Sequence, residues 1–296
     1  MDLFQHISAQ QHLLPPVIFL ATFAIGLELR IAQFVELAKQ PRIPILGTII
    51  HSLTFPSIAV AAVLIVQALG LGITEATALG VLLIAACPSG GFSNILTTIA
   101  RANLPLSIVL TAVSSILSFL SVPLLLGGFA LLLTELDGSV SLPVAQILLQ
   151  LTVLILIPIG LGIWVQEASD WATETRIQKW QSRTQLLLYL TVALMIVESW
   201  EIMVAGFIQA LPWSIGLCAT NIAACFALAK ASKLETEDAI TVALEGSIRN
   251  LGVAFLIAAN TLERVDIAVL PTVYFLTVLV ISILFAKFWR RIPFFS

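Results

Sequence analysis

Glu245 and Arg249 lie four residues apart inside a segment that is apolar on both sides, in an interruption that reads Glu245-Gly246-Ser247-Ile248-Arg249-Asn250. A carboxylate placed midway through lipid costs on the order of 2.5–3.5 kcal/mol, so it is retained for a partner. Two chemistries fit: ligation of a cation, or carriage of a proton. The structural alternative is an ion pair with Arg249, which would share its helical face if the helix ran straight through. Gly246 between the charges is not needed for a pair. A second interruption, Cys87-Pro88-Ser89-Gly90-Gly91-Phe92-Ser93-Asn94, brings neutral oxygens, and Ser107 and Thr111 follow on one side of the next helix. A hard cation takes oxygen ligands, and one carboxylate would balance its charge. Singly, a membrane Ser or Thr usually bonds back to its own backbone. Grouped beside a broken helix, these residues point to an ion. His51, between Gly47 and Pro56, is either a satisfied polar residue between helices or a pH-sensitive group beside that site.

The elements that would hold these groups are set by composition. Hydrophobic residues make up 59% of 296 residues, charged residues only 10%, and the mean hydropathy is +1.06. A soluble domain is about 45–50% apolar. Lipid must therefore be the solvent, and the fold class expected is an all-α membrane protein. On a length of ~20 apolar residues per span, nine transmembrane helices are predicted, at 14–37, 43–69, 76–100, 104–132, 142–165, 184–202, 206–230, 238–261 and 267–289. Residues 166–183, with Trp171 and Trp180 among charges, are predicted to form a short interfacial helix dividing two halves. Met1 to His12 contain no Lys or Arg, and no cleavable leader is expected. Cys87, Cys218 and Cys225 sit in apolar segments and are expected to pack as small hydrophobes.

Basic residues set the expected orientation. With the N-terminus outside and the C-terminus in the cytoplasm, 12 of the 14 Lys and Arg fall on the inner side. Arg264 falls outside and Arg249 lies within a span, as the positive-inside rule demands of a correct topology. Spans 76–100 and 238–261 then run in opposite directions. Each begins beside Thr and Glu (Thr74-Glu75, Thr236-Glu237) and each is interrupted centrally. Discontinuous helices at matching places in two inverted halves mark transporters whose site lies near the bilayer midplane. Phosphate loops, His/Cys metal spacing, nucleophile triads and a basic nucleic-acid surface are all missing from the sequence, so an enzyme or a nucleic-acid binder is not expected.

At both interruptions the chain resembles the bile acid:sodium symporter family. The resemblance rests on residues 87–94 with Ala112-Val113-Ser114-Ser115, on Thr241 to Leu256 around Glu245 and Asn250, and on Gly26-Leu27-Glu28-Leu29 with Pro41 and Gly47. It implies two discontinuous crossing helices in an inverted-repeat transporter. It further implies a panel domain (14–37 and 142–203) rocking on a core domain (43–132 and 206–291), with the first of ten helices of bacterial relatives missing. The family's first sodium site would fall on Ser93, Asn94, Ser107, Thr111 and Glu245. The second, lined in the family by two glutamines and carbonyls after the glutamate, would fall on His51, Arg249, Gly246 and Ile248. There Arg249 would stand in for an ion, or else reach into the cavity and bind the anion. Substrate contact would involve Gly91, Phe92 and Asn250, and the bulk of Phe92 implies a ligand other than a bile salt.

The function expected is secondary active transport of a small organic anion coupled to sodium, by alternating access. The lipid bilayer is the surrounding medium, no obligate protein partner is inferred, and the bacterial inner membrane is the expected location. The rivals are a proton-coupled or uncoupled carrier, an exporter of the wider superfamily (Cys87 keeps metalloid export open), and a non-transporting membrane sensor.

Overall fold

The computed structural model describes residues 12–30, 39, 41–137, 143–169 and 172–290; the later part of the predicted first span and Arg291 lie outside these. The described residues are helical, and no strand is found among them beyond one isolated two-residue bridge. The helices are α1 (Leu14–Glu28), α2 (Arg42–Ala68), α3 (Glu75–Ala86), α4 (Phe92–Ala100) and α5 (Leu104–Asp137). There follow α6 (Val144–Ala168), α7 (Glu174–Glu198), α8 (Trp200–Ala231), α9 (Thr236–Ser247), α10 (Leu251–Thr261) and α11 (Val269–Arg290). By length and composition, α2, α5, α6, α8 and α11 with the short turn before it are long and apolar enough to cross a membrane. Helices α1, α3 and α10 are shorter apolar helices.

The predicted spans 76–100 and 238–261 are each two helices, α3 with α4 and α9 with α10. Proline explains the first break. Pro88 lacks an N–H and disfavours the helical conformation at the preceding residue, and Cys87 is extended at φ −62° and ψ 147°. No proline marks the second break, where Ile248 and Asn250 are extended instead. Helices α3, α9 and α10 are buried nearly all round, which suits the apolar α3 and α10 at a protein's centre and leaves the polar groups of α9 to find partners inside.

Two expectations are corrected. No separate interfacial helix occupies 174–183; these residues open α7, which continues to Glu198 without a Gly or Pro to stop it. Trp180 accordingly faces Phe23 of α1, ring edge to ring face, with centroids 6.4 Å apart. The turn after α7 also falls earlier than predicted, at Ser199 rather than near 203–205.

Helix α1 packs against α6 and α7. Its crossing with α6 is set by two glycines: a Cβ on Gly26 would lie 2.3 Å from the Ile159 carbonyl, and one on Gly162 would lie 2.4 Å from the Phe23 carbonyl. A π turn in α6, Thr152–Leu156, leaves the Leu154 carbonyl to accept from the Thr22 hydroxyl at 2.7 Å. The four half-helices pack mainly among α2, α5, α8 and α11, and α10 also touches α1, α6 and α7.

Candidate functional site

The two breaks cross, and each satisfies the other's backbone. Asn250 N donates to the Pro88 carbonyl at 2.9 Å and Gly90 N to the Ile248 carbonyl at 3.1 Å, an antiparallel bridge centred on Ser89 and Arg249. A Cβ on Gly90 would lie 3.1 Å from the Arg249 carbonyl, so the approach demands a small residue. Away from water, every open peptide group needs such a partner. The carbonyls at the end of α9 find four donors on three segments, the first break, α8 and α11. Glu245 O accepts from the Ser89 hydroxyl at 2.6 Å, Gly246 O from Asn221 Nδ2 at 2.8 Å, and Ser247 O from the Tyr274 hydroxyl at 2.8 Å. Gly90 supplies the fourth, at Ile248.

With the backbone satisfied, the Glu245 side chain hangs from the last turn of α9 into a pocket of hydroxyls. It is fully buried. Ser107 Oγ donates to its carboxylate, and Thr111 Oγ1 lies 3.1 and 3.0 Å from its two oxygens. Ser107 Oγ in turn lies 2.8 Å from Asn94 Oδ1, and Ser93 Oγ lies 3.4 Å from Thr111 Oγ1. All five residues proposed from the sequence for a first cation site are thereby brought together from α4, α5 and α9. Thr97, which sequence reasoning missed, donates to Ser107 Oγ at 3.2 Å. It lies on α4 one turn beyond Ser93, a spacing that could have found it. Four uncharged oxygen side chains and one carboxylate converge here, and no group of three or more His, Cys, Asp or Glu forms among the described residues. Such a set suits a hard monovalent cation and offers nothing to a soft metal.

Arg249 does not pair with Glu245. Because α9 ends at Ser247, the two residues do not share a helical face, and no ion pair joins them among the described residues. The guanidinium is buried behind the crossing. It donates to the Cys87 carbonyl at 3.1 Å and the His51 carbonyl at 2.8 Å, and lies 5.1 Å from the centre of the Phe55 ring. Its Nε and His51 Nδ1 are buried without a hydrogen-bond partner, while His51 Nε2 is 3.5 Å from Ser52 Oγ. The residues expected for a second site are therefore adjacent. Their chemistry differs from the expectation in one respect: the Gly246 and Ile248 carbonyls already accept from Asn221 and Gly90. Asn221 and Tyr274 are also sites that sequence reasoning missed; each places a strong hydrogen-bond donor within an apolar span, which was the available signal.

On the opposite side of the crossing lies a narrow cleft, with about 30 Å3 of room for the centres of water-sized groups. Gly91, Phe92 and Asn250 line it from the breaks, and Ile18, Thr22, Gln185 and Tyr189 from α1 and α7. The Asn250 Oδ1 caps α10 by accepting from Val253 N at 3.2 Å, which leaves its amide hydrogens for the cleft. The three residues expected to meet substrate thus share one wall, close to the start of α4.

Comparison with known proteins gives this arrangement a class. Residues 15–206 match the model of the Sodium Bile acid symporter family, and the chain belongs to that family, whose members are transporters rather than enzymes. An uncharacterized sodium-dependent transporter, YocS, of Bacillus subtilis is 35% identical over 108 residues, 36% of this chain and 32% of that protein. The probable chloroplastic sodium/metabolite cotransporter BASS2 of rice (Oryza sativa subsp. japonica) is 25% identical over 268 residues, 90% of this chain and 61% of that protein. Human sodium/bile acid cotransporter 4 is 32% identical over 104 residues, 33% of this chain and 22% of that protein. The chain thus covers less than two thirds of each of these relatives.

Proposed function

We propose that the protein is a sodium-coupled carrier of a small organic anion, in which Glu245, Ser107, Thr111, Asn94 and Ser93 bind one sodium ion. One observation carries this reading: a fully buried carboxylate on α9 surrounded by neutral oxygens from α4 and α5, with no cationic side chain paired to it among the described residues. Such a charge is expensive unless an ion or a proton joins it. Membership of a symporter family and relatives named as sodium-dependent transporters support sodium. Arg249 supplies a permanent positive charge where a second ion would otherwise sit, held by carbonyls much as an ion would be. Coupling is then to a single sodium. Against the competing idea, that Arg249 binds the transported anion, stand the bonds of its guanidinium to the Cys87 and His51 carbonyls, neither of which lines the cleft.

Alternating access follows from the two packing groups. α1, α6 and α7 form one unit; α2, α5, α8 and α11 with the half-helices form the other, and the cleft lies between them. Rocking one against the other opens the cleft to either side without unmaking the crossing. The protein would span the membrane nine times, with its N-terminus outside, in a bacterial inner membrane. Uptake of radiolabelled organic anions into proteoliposomes, with and without an imposed sodium gradient, tests the reading. Accumulation only with the gradient is expected; equal accumulation without it, or with a proton gradient alone, overturns sodium coupling.

A further inference from the structure

Gln185 and Tyr189 lie one turn apart on α7 and face the crossing across the cleft. Gln185 Nε2 donates to the Tyr189 hydroxyl at 2.7 Å. The other end of that amide presses on the start of α4: a Cβ on Gly91 would lie 2.9 Å from Gln185 Oε1. The Tyr189 ring is seated between Phe92, at 6.2 Å and 72°, and Phe275, at 5.8 Å and 39°. Both side chains are therefore fixed before any ligand arrives, which is what a selective polar contact requires. The phenol has one lone pair taken by the amide. Its own O–H has no acceptor among the described residues, in a cleft walled by Ile18, Leu188 and Val192. A half-buried donor in apolar surroundings gains most when a ligand oxygen meets it.

Charge limits the ligand further. Arg249 is the only charged residue lining the cleft among those described, and its guanidinium is turned to the Cys87 and His51 carbonyls. Neutral donors remain for the carboxylate: the Asn250 amide and the Phe92 and Asn94 N–H groups opening α4, which Gly91 leaves without a side-chain cap, Ser93 N being already given to the Gly90 carbonyl. They can hold one negative charge and have nothing to offset a second.

We propose that Tyr189, positioned by Gln185, reads a second, uncharged oxygen on the transported anion, so that the cleft selects small monocarboxylates carrying a hydroxyl or carbonyl group on an apolar body. This rests on the carrier reading above and adds the substrate class. The test compares 2-hydroxy-3-methylbutanoate with 3-methylbutanoate as probes in sodium-driven uptake by the full chain. The wild type should favour the hydroxylated probe by about tenfold or more in KM, since a site built to hydrogen-bond a substrate hydroxyl rejects the analogue lacking it. Tyr189→Phe should abolish that preference by raising KM for the hydroxylated probe to that of the plain acid, and Gln185→Leu should weaken it. The sodium-induced rise in Tm should be the same in all three proteins, which separates this proposal from the sodium site. Preference retained in Tyr189→Phe overturns the proposal, as does a wild type that takes up both probes equally. Sodium binding with no sodium-driven uptake of either probe overturns the substrate class and leaves the ion site standing. Loss of the sodium response in the wild type overturns the carrier reading itself.

Discussion

Glu245 is an acid that the surrounding atoms neither pair nor expose. Ser107 and Thr111 reach it from one face of α5, and their hydroxyls can turn an oxygen toward a cation as readily as a hydrogen toward the carboxylate. Removing either hydroxyl should weaken sodium binding by about tenfold or more, because contacts to a charge are worth roughly 1.5–3 kcal/mol. Ser107→Ala and Thr111→Val should show it in the sodium concentration that gives half-maximal uptake, with maximal uptake largely kept. Arg249 makes the opposite case. If its guanidinium stands in for an ion, Arg249→Gln should raise sodium cooperativity, read as a Hill coefficient rising above that of the wild type. An unchanged Hill coefficient in a variant that still folds and transports would count against that role. Most of these residues were legible in the sequence because charge and hydroxyl groups are conspicuous in apolar runs. Their pairing was not. Periodicity places Arg249 under Glu245, and only the end of α9 at Ser247 separates them.

At the scale of elements, the half-helices survive because their open ends are closed by side chains from elsewhere. Tyr274 illustrates it. Its hydroxyl is the donor to Ser247 O, and its ring stacks on Phe55 at 5.1 Å. Tyr274→Phe keeps the ring and orphans the carbonyl, at an expected cost of about 1–3 kcal/mol, measurable as a lower Tm in detergent. No change in Tm would mean that the carbonyl finds another donor. The α1–α6 contact leaves even less room, since Gly26 and Gly162 bring backbone against backbone. Gly26→Leu should prevent that approach and lower the yield of folded protein far more than Gly160→Leu, where a Cβ meets nothing within 4 Å. The sequence showed the first break through Pro88 and both breaks through their glycines and polar residues. It did not show the continuity of α7, because charges and tryptophans at 174–183 look the same on an interfacial helix and on the first turns of a long one. Nor could it show which distant donors, Ser89, Asn221 and Tyr274, would serve the end of α9, since that depends on tertiary packing.

For the whole molecule, the proposed alternating access requires the cleft between the α1–α6–α7 group and the crossing to change width. Ile18 of α1 and Leu251 of α10 line it from opposite groups. A short bifunctional crosslink between Ile18→Cys and Leu251→Cys should stop uptake and leave sodium binding intact; continued uptake by the crosslinked protein would mean that these groups do not move apart. Charge asymmetry was the most legible large-scale feature. Its exception, Arg264, is ion-paired to Glu75 at 3.2 Å and to Asp266 at 2.7 Å, so its positive charge is locally balanced. That pairing belongs to packed neighbours and is beyond any count of basic residues. The whole scheme turns on an ion at Glu245, and equilibrium binding of radioactive sodium to the purified protein addresses it without reference to substrate. The wild type should bind one ion that excess sodium displaces and Glu245→Gln should bind none, whereas undiminished binding by Glu245→Gln would contradict the assignment.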